Sequence, residues 1–347
     1  MKPLNKSSII LGLMVLLFQW NIGCSEAQQY EEKENYTLDI AAIEQATGMQ
    51  GTEQDGEYKL TVPQNDLNVT IGDFSIIPPM GMGSWAAFSP TEAGAILMGD
   101  VVVTENEIAA VQQTLIEHGL KVTALHNHFV REQPSVMYMH IGGQGTEKEL
   151  ATGVKAVFDK IAELRGGNPA DAEAGEVENS LDTDRIAEIL GHEGSASRGV
   201  YKVTIGRPDV ELKMEPGGHH EEGEEHSEEY KEKKEEEGHD EGEQHHEETH
   251  KEDGHPHVST FMGFNTWAAW QGTPEKAAVA GDFVMRADEV DGVIEALVNN
   301  GIEVVALHNH MIHEEPRVFF LHYWGTGSAY GLATGLRKAL DQTGVQK

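Results

Sequence analysis

The sequence predicts an α+β fold of two homologous halves, each a mainly antiparallel sheet with helices packed on one face. One long pattern occurs twice, in residues 36–166 and again in residues 179–347. Within each copy, apolar residues alternate with a period of two in some segments and follow helical spacing in others. The chain contains a single cysteine, so no disulfide within the chain can stabilise the fold. Each half must therefore bury its own core, for which about 150 residues suffice.

The repeat is clearest around a histidine-rich motif. Residues 124–140 read ALHNHFVREQPSVMYMH, and residues 306–322 read ALHNHMIHEEPRVFFLH. Two copies that diverge elsewhere keep three histidines and one glutamate, which indicates a function for those side chains. A repeat of this length is a duplicated domain rather than a solenoid, whose repeats run roughly 20–50 residues. The shared residues are His126, His128, Glu132 and His140 in the first copy, and His308, His310, Glu314 and His322 in the second.

Each half gives the same order of predicted elements, beginning with a short helix at Ile40–Thr47 or Thr183–Leu190. A strand pair and then two longer strands follow, because β-branched and aromatic residues alternate with polar ones. The predicted strands are 58–62, 67–71, 84–88 and 95–103 in the first half, and 201–205, 210–214, 266–270 and 277–285 in the second.

A helix is predicted next. Thr104 and Glu107 have the spacing of a capping box, with Thr104 as the N-cap, and Gly119 is placed to stop the helix. In the second copy Asp288 takes the cap position and Gly301 the stop. After the motif strands, a last helix is predicted over residues 147–164 and 330–342, which closes each half.

The motif itself predicts a β-hairpin that carries a metal site. Segments 122–130 and 135–141 are strand-like, and side chains two residues apart in a strand share a face. If the turn centres near residues 132–133, His126 lies roughly opposite His140, with Cβ atoms about 5 Å apart. His128 joins them, and Glu132 leans over the three imidazoles.

The second copy repeats this set with His308, His310, His322 and Glu314. Imidazole and carboxylate ligands suit Zn, and also Fe, Mn, Ni or Cu. Three or four protein ligands can leave a coordination position open for water. The sequence leaves open whether the two sites act separately or face each other across a pseudo-twofold axis.

A structural reading of the same residues is kept open, in which the imidazoles bond to carboxylates in a polar network without metal. Asp100 and Asp282 each follow a glycine in an apolar strand, and they either orient a histidine or end the strand in a turn. Trp85 and Trp267 are predicted to anchor the core.

The first residues predict export. Lys2 and Lys6 precede an apolar segment at 9–18, which is too short to span a bilayer comfortably. Residues 1–24 end in Cys24, which resembles the lipidated cysteine of bacterial lipoproteins. The prediction is a secreted envelope protein, lipid-anchored through Cys24 on the periplasmic or outer-membrane face, with ordinary secretion and cleavage as the alternative.

An acidic insertion, residues 217–257, holds nine of the eighteen histidines, with 17 acids and 4 lysines. It has too few apolar residues to form a core, so we expect it to be disordered. Such a tract is typical of a low-affinity metal collector, and the alternative is a solvated charged linker. Its candidate ligands are His219, His220, His245, His246, His250, His255 and His257.

The net charge of −34 makes nucleic-acid binding improbable, because an acidic surface repels phosphate backbones. The remaining partners are a metal ion, the membrane through the lipid on Cys24, and a metal transporter or another envelope protein.

The phrase ALHNH, the E-x-P turns and the LATG segments at 150–153 and 332–335 resemble the LppY/LpqO family of bacterial lipoproteins. This resemblance covers both halves and implies secretion and an envelope location, without an assigned reaction. The spacing H-x-H-x-x-x-E also resembles the first metal motif of cupins, but only over that stretch, since cupins are all-β barrels.

The leading functional prediction is therefore an envelope lipoprotein that binds a transition metal, zinc first, for storage, delivery or sensing. The alternative is a metal-dependent enzyme, a hydrolase first and an oxidoreductase second, with Glu132 or Glu314 as general base.

Overall fold

Residues 36–214 and 258–345 are described by the structure, a computed structural model. The predicted signal segment 1–24 with Cys24, and the histidine-rich insertion 217–257, lie outside the described residues. In the described part, no helix is both long enough and apolar enough to cross a membrane.

The first half begins with a helix that its own caps delimit. Asp39 accepts a hydrogen bond from the amide of Ala42 at 3.0 Å, and Gly48 ends the helix at φ +70°. The elements of this half are α1 Ile40–Thr47, β1 Thr52–Gln54, β2 Glu57–Pro63, β3 Thr70–Ile71, β4 Phe74–Ser75, β5 Gly83–Thr91, β6 Gly94–Thr104, α2 Ile108–Glu117, β7 Lys121–His126, β8 Val136–Gly145 and α3 Glu147–Arg165.

The second half repeats the order, and Asp182 and Gly191 cap its first helix in the same way. The predicted bounds of both short helices are confirmed. The elements of this half are α4 Thr183–Leu190, β9 Gly194–Ser197, β10 Val200–Gly206, β11 Lys213–Met214, β12 Asn265–Gly272, β13 Ala277–Arg286, α5 Val290–Asn299, β14 Glu303–His308, β15 Glu314–Glu315, β16 Val318–Gly327 and α6 Ala329–Leu340.

Among the strands that the structure describes, each half forms one six-stranded antiparallel sheet, and two short strand pairs, β3 with β4 and β11 with β15, lie outside these sheets. Within the described residues, the first sheet has six strands in the order β1-β2-β5-β6-β8-β7, and the second has six in the order β9-β10-β12-β13-β16-β14. The predicted α+β class is confirmed, because helices alternate with these antiparallel strands.

Helices cover one face of each sheet. On β6, Leu97 and Val101 point to this face and pack with Val154 and Val157 of α3. On β13, Val279 packs with helix residues of the second half. Because side chains alternate along a strand, the residues in between point to the opposite face.

The two opposite faces pack on each other. Tyr138 of β8 shares an apolar cluster with Ala278 and Trp324 of the second sheet, and Met98 of β6 shares another with Phe320. The result is four layers in the order helices, sheet, sheet, helices. The layer between the sheets therefore contains side chains of both halves.

The predicted strand pair 58–62 with 67–71 is wrong. The strand β2 pairs with β1 on one side and β5 on the other, and β3 is a two-residue strand that pairs with β4. The overlooked signal was the Asp55-Gly56 turn, whose φ angles of +52° and +83° suit a tight hairpin between β1 and β2. In the second copy, 210–214 likewise fails to pair with β10, and only Lys213–Met214 is a strand.

The predicted N-caps of the middle helices are also wrong. α2 begins at Ile108, and Thr104 donates its amide to the Glu107 carboxylate at 2.7 Å without capping through its own side chain. In the second copy Glu289 accepts from the amide of Arg286 at 2.8 Å, and Asp288 pairs with the Arg286 guanidinium. Both glutamates are buried, and each bonds an arginine as well as the amide three residues earlier, while no side chain caps the start of either helix.

The motif hairpin is confirmed, but its register differs from the prediction. His126 ends β7 opposite Tyr138, while His140 lies opposite Ala124. The loop over 127–135 joins the two strands at this register, and the irregularity between Val122 and Ala124 lies farther from the turn than either histidine. Because the shift is two residues, His126 and His140 still share a face.

Candidate metal centre

Strand register places an aspartate beside a histidine in each half. Asp100 of β6 lies opposite His140 of β8, and Asp282 of β13 lies opposite His322 of β16. Their chain neighbours, such as Val101, point into the helix-side cores. All four polar side chains therefore face the layer between the two sheets.

Two further histidines of each half come from the end of a strand and the loop behind it. His126 is the last residue of β7, and His128 follows in the loop. Asn127 shapes this loop by donating to the carbonyl of Phe129 at 2.6 Å, and Asn309 does the same toward Met311 at 2.9 Å. The side chains of both asparagines are therefore engaged in shaping the loop.

Six imidazoles meet in one cluster between the sheets. The closest contacts between these imidazole rings are those between the two halves. A contact from the first half to the second is matched by the equivalent contact from the second half to the first, as a pseudo-twofold axis requires. The ring centroids of His128 and His322 are 3.7 Å apart, and those of His310 and His140 are 4.0 Å apart. We call this set the histidine cluster; it consists of His126, His128, His140, His308, His310 and His322.

The histidine cluster presents ring nitrogens that have no hydrogen-bond partner among the described residues. Nδ1 of His140 lies 3.2 Å from the carbonyl of Gly99, and Nδ1 of His322 lies 3.1 Å from that of Gly281. A carbonyl only accepts, so the proton belongs on Nδ1 and the lone pair on Nε2. Nε2 is without a hydrogen-bond partner in every one of the six rings.

A carboxylate of each half approaches one loop histidine. Nε2 of His128 is 3.3 Å from Asp100, and Nε2 of His310 is 3.3 Å from Asp282. The distance is short, but the orientation does not make a hydrogen bond, and the second carboxylate oxygen of each aspartate is also unpartnered. Buried polar atoms rarely lack a hydrogen-bond partner. The number of unpartnered donors and acceptors here therefore needs an explanation.

Burial keeps these imidazoles neutral. Desolvation lowers the pKa of His140 to about 4 and lowers the pKa values of His128, His310 and His322 well below the ordinary value. Neighbouring imidazoles add to this because a second positive charge nearby is unfavourable. Desolvation also raises the pKa of Asp282 well above its usual range, with the charge of Asp100 as a further cause. Near neutral pH the six imidazoles therefore offer lone pairs rather than positive charges.

Three subsets bring their ligand atoms within 4.8 Å of one another. Two of the subsets combine histidines of both halves, and one lies within the second half. His126, His308 and His322 each belong to two subsets, so any two subsets share a residue. The subsets are His126 with His140 and His308, His126 with His128 and His322, and Asp282 with His308 and His322.

Glu132 and Glu314 do not belong to these subsets. The Glu132 carboxylate turns into its own hairpin loop, where it accepts from the amide of Val136 at 3.4 Å. Glu314 is buried in β15, with Arg317 of the same turn 3.2 Å away. The carboxylates nearest the histidine cluster are instead those of Asp100 and Asp282, which the sequence suggested only as supporting groups.

A cavity of about 410 Å³ adjoins the histidine cluster. Trp85 and Trp267 line it and are only half-buried, so their predicted role as core anchors describes them incompletely. Lys59 and Lys202 also line the cavity, and sequence reasoning did not select them. The signal was present, because Tyr-Lys occurs at 58–59 and again at 201–202.

The fold and this site define a class: a protein of two repeated α+β units with a buried histidine cluster between them. The profile of the family described as Domain of Unknown Function (DUF1259) matches residues 41–160 and 231–342. These segments cover more than half of the chain, so the protein belongs to this family and carries its domain twice. No curated protein and no solved structure gives a significant match.

Proposed function

We propose that the protein binds a transition metal ion at the histidine cluster, between its two halves. The observation that carries the proposal is the set of buried Nε2 atoms that converge without hydrogen-bond partners. Leaving buried polar groups unpaired is costly, and coordination to a metal would satisfy them. Storage, delivery or sensing of the metal in the cell envelope is the corresponding role.

Zinc is the first candidate for this ion. Zinc is held by three or four imidazole and carboxylate ligands in many proteins, and it imposes little geometry of its own. Fe, Mn, Ni and Cu accept the same ligands and remain alternatives. The neutral state of the imidazoles favours any of these ions, since a ligand must release its proton before it binds.

A metal-dependent enzyme is the second candidate function, and the cavity beside the histidine cluster favours it. The cavity reaches His128, His140, His310 and His322, so a ligand there could approach a bound ion. Glu132 and Glu314 have little support as general bases, because their carboxylates lie in their own turns. Asp100 or Asp282 is the better placed candidate for that role, with hydrolysis ahead of redox chemistry.

We further propose that the chain belongs with the LppY/LpqO lipoproteins and is held at a bacterial membrane by a lipid on Cys24. The support is the charged and apolar sequence before that cysteine and the ALHNH motif. Replacing Cys24 by Ser should move the protein from the membrane fraction to the soluble fraction. Retention of the Cys24→Ser variant in the membrane fraction would refute this part of the proposal.

The metal proposal is tested by the metal content of the full chain after dialysis against a weak chelator. The comparison is between wild type and a His126→Gln, His308→Gln variant, because these two residues take part in all three subsets. We expect the wild type to retain metal and the double variant to lose it. The histidines of 217–257 are common to both proteins, so their weaker binding cancels from the difference.

The matched control is His118→Gln. His118 lies at the end of α2, outside the histidine cluster, and its Nδ1 contacts the carbonyl of Thr114. We expect this variant to retain metal as the wild type does. Equal metal content in wild type, control and double variant would rule out the cluster as the binding site, and a folded double variant is verified by circular dichroism.

A further inference from the structure

Two equivalent lysines, one from each half, line the cavity beside the histidine cluster. Lys59 lies on β2 and Lys202 on β10, and both point toward the layer between the sheets. The alternation of the strand requires this, because Tyr58 and Tyr201 beside them belong to the helix-side cores. The duplication has therefore brought two ammonium groups to one cavity.

Neither ammonium group has an ion pair or a hydrogen bond with another residue of 36–214 or 258–345. Each lies over an indole ring instead, with Nζ of Lys59 4.6 Å from the centroid of Trp85 and Nζ of Lys202 4.1 Å from that of Trp267. An aromatic ring attracts the ammonium group but supplies no counter-charge, whether one ring contacts it, as at Lys202, or two, as at Lys59. In a chain with 59 acidic residues against 25 basic ones, two lysines without an ion pair are unexpected, although Glu57 and Asp282 attract them from a distance.

Both lysines would gain from an anion. Burial lowers the pKa of Lys59 to about 8 and that of Lys202 to about 8, so each keeps most of its charge at neutral pH. The charge of Lys59 is itself one cause of the shift at Lys202, which indicates that the two charges repel each other. A negative group between them would relieve this repulsion and the loss of hydration.

The remaining walls of the cavity are suited to an organic molecule. The ring of Trp85 reaches across to Gly263 of the other half, and the ring of Trp267 reaches Gly81. Phe261 adds a third aromatic ring, which lies under the Lys59 ammonium at 4.7 Å. Asp100 and Asp282 line the side of the cavity next to the histidine cluster. A metal ion bound at the cluster would offset the negative charge of these carboxylates. A volume of about 410 Å³ falls within the range of small-molecule sites.

We propose that this cavity binds a small molecule through an oxyanion group, a carboxylate or a phosphate, held between Lys59 and Lys202. The aromatic walls cover the rest of the molecule, and its far side faces the histidine cluster. The inference deepens the proposed metal function and rests on it for the ion beneath the ligand. The contact with the two lysines stands independently of that ion.

The test uses the full chain, metal-loaded and metal-stripped, titrated with inorganic phosphate and, separately, with succinate. Tryptophan fluorescence reports binding, because Trp85 and Trp267 line the cavity. We expect at least one probe to bind, and a Lys59→Gln, Lys202→Gln variant to bind it at least about tenfold more weakly at unchanged metal content. The probe that binds more tightly identifies the source of the oxyanion.

Two further variants separate charge from structure. Lys59→Arg with Lys202→Arg keeps both charges and should keep binding, and Lys148→Gln alters an exposed lysine of α3 and should behave as wild type. If neither probe binds the wild type with a Kd below about 10 mM, or if the double Gln variant binds as tightly as wild type, the proposal is wrong. Metal content is measured on the same samples. Anion binding without retained metal would therefore refute the metal function alone, and retained metal without anion binding would refute this inference alone.

Discussion

The imidazole rings of His126 and His308 stack across the boundary between the two halves, with centroids 3.8 Å apart and planes 25° apart. These are the same residue of the two copies, so the contact marks the pseudo-twofold axis. Around it, the other four histidines are arranged in reciprocal pairs. The site is therefore shared by the halves, and this relationship leads to specific expectations.

The histidine cluster should hold one tightly bound ion per chain rather than one per half. Any two of the three candidate ligand subsets share a histidine, so filling one subset removes a ligand from the others. Native mass spectrometry on a variant with all nine histidines of 217–257 changed to Gln would count the ions. Two tightly held ions per chain would show that a different ligand arrangement forms.

Asp282→Asn should separate metal affinity from stability. Burial raises the pKa of Asp282 because it disfavours the charged carboxylate, so an amide of the same shape should change the stability of the metal-free protein by less than about 1 kcal/mol. The lost carboxylate should weaken metal binding by roughly 10–100-fold. Thermal melts with and without metal, and competition with a chelator, measure both effects. Asp159→Asn, in the exposed pair with Lys155, is the control and should change neither.

The metal-free protein should lose stability in acid, starting near pH 6.5. Above that pH the imidazoles are neutral in both the folded and the unfolded chain, so stability does not depend on them. Below it the unfolded chain takes up protons, while the folded chain resists protonation because its histidine pKa values are lowered, to about 4 for His140. Between the pKa of the unfolded chain and that of the folded chain, each such imidazole lowers the free energy of unfolding by about 1.4 kcal/mol for every pH unit of acidification.

Urea unfolding of metal-free protein between pH 7 and pH 4 measures this loss. A His140→Gln, His322→Gln variant removes two of the buried imidazoles and should show a shallower pH dependence than the wild type. A wild-type midpoint that stayed constant from pH 6.5 to pH 4 would contradict the expected burial of neutral histidines.

Gly81→Ala and Gly263→Ala should distort the aromatic wall of the cavity. Both glycines have positive φ, at +110° and +93°, and an added Cβ would lie 3.0 and 2.9 Å from the rings of Trp267 and Trp85. The combined strain and collision should cost about 1–3 kcal/mol and change the tryptophan emission. Gly48→Ala is the matched control: its φ is +70°, its Cβ would have free space, and the emission should stay unchanged.

The histidines of 217–257 should speed metal uptake without setting the final occupancy of the histidine cluster. They form a separate group of ligands of low expected affinity, within the stretch that the structure does not describe. Changing all nine to Gln should slow loading at limiting metal and leave the content at equilibrium nearly the same after washing. An unchanged loading rate would leave this segment without a role in metal capture.

Local sequence patterns were sufficient for much of the fold. Asp39 and Gly48 delimit the first helix through side-chain and backbone chemistry that acts within a few residues, and its bounds were predicted correctly. The i, i+2 spacing of His126 and His128 likewise indicated that they act together, and both are in the cluster. The register of the hairpin was missed because it depends on the conformation of the loop 127–135, whose Gln133 exchanges backbone hydrogen bonds with Thr70.

The composition of the site depended on contacts between residues far apart in the chain. His140 meets His310 only because the two sheets pack face to face, and no pattern within either copy specifies that packing. The predicted turn placed Glu132 at the metal, yet its carboxylate accepts a hydrogen bond from the amide of Val136 in its own loop. The repeated Lys59 and Lys202 were visible in the sequence, but their common cavity appears only when both sheets are in place.

The reciprocal pairing of the histidines is the relationship found in an isologous homodimer, where the same patch of two identical subunits meets itself. In this chain the two subunits are fused, so the second copy is always present at a fixed, very high effective concentration. Fusion also frees each copy to change on its own, as Tyr138 and Phe320 have done beneath His128 and His310. A relative with a single copy of the domain would have to pair with itself to build the same centre.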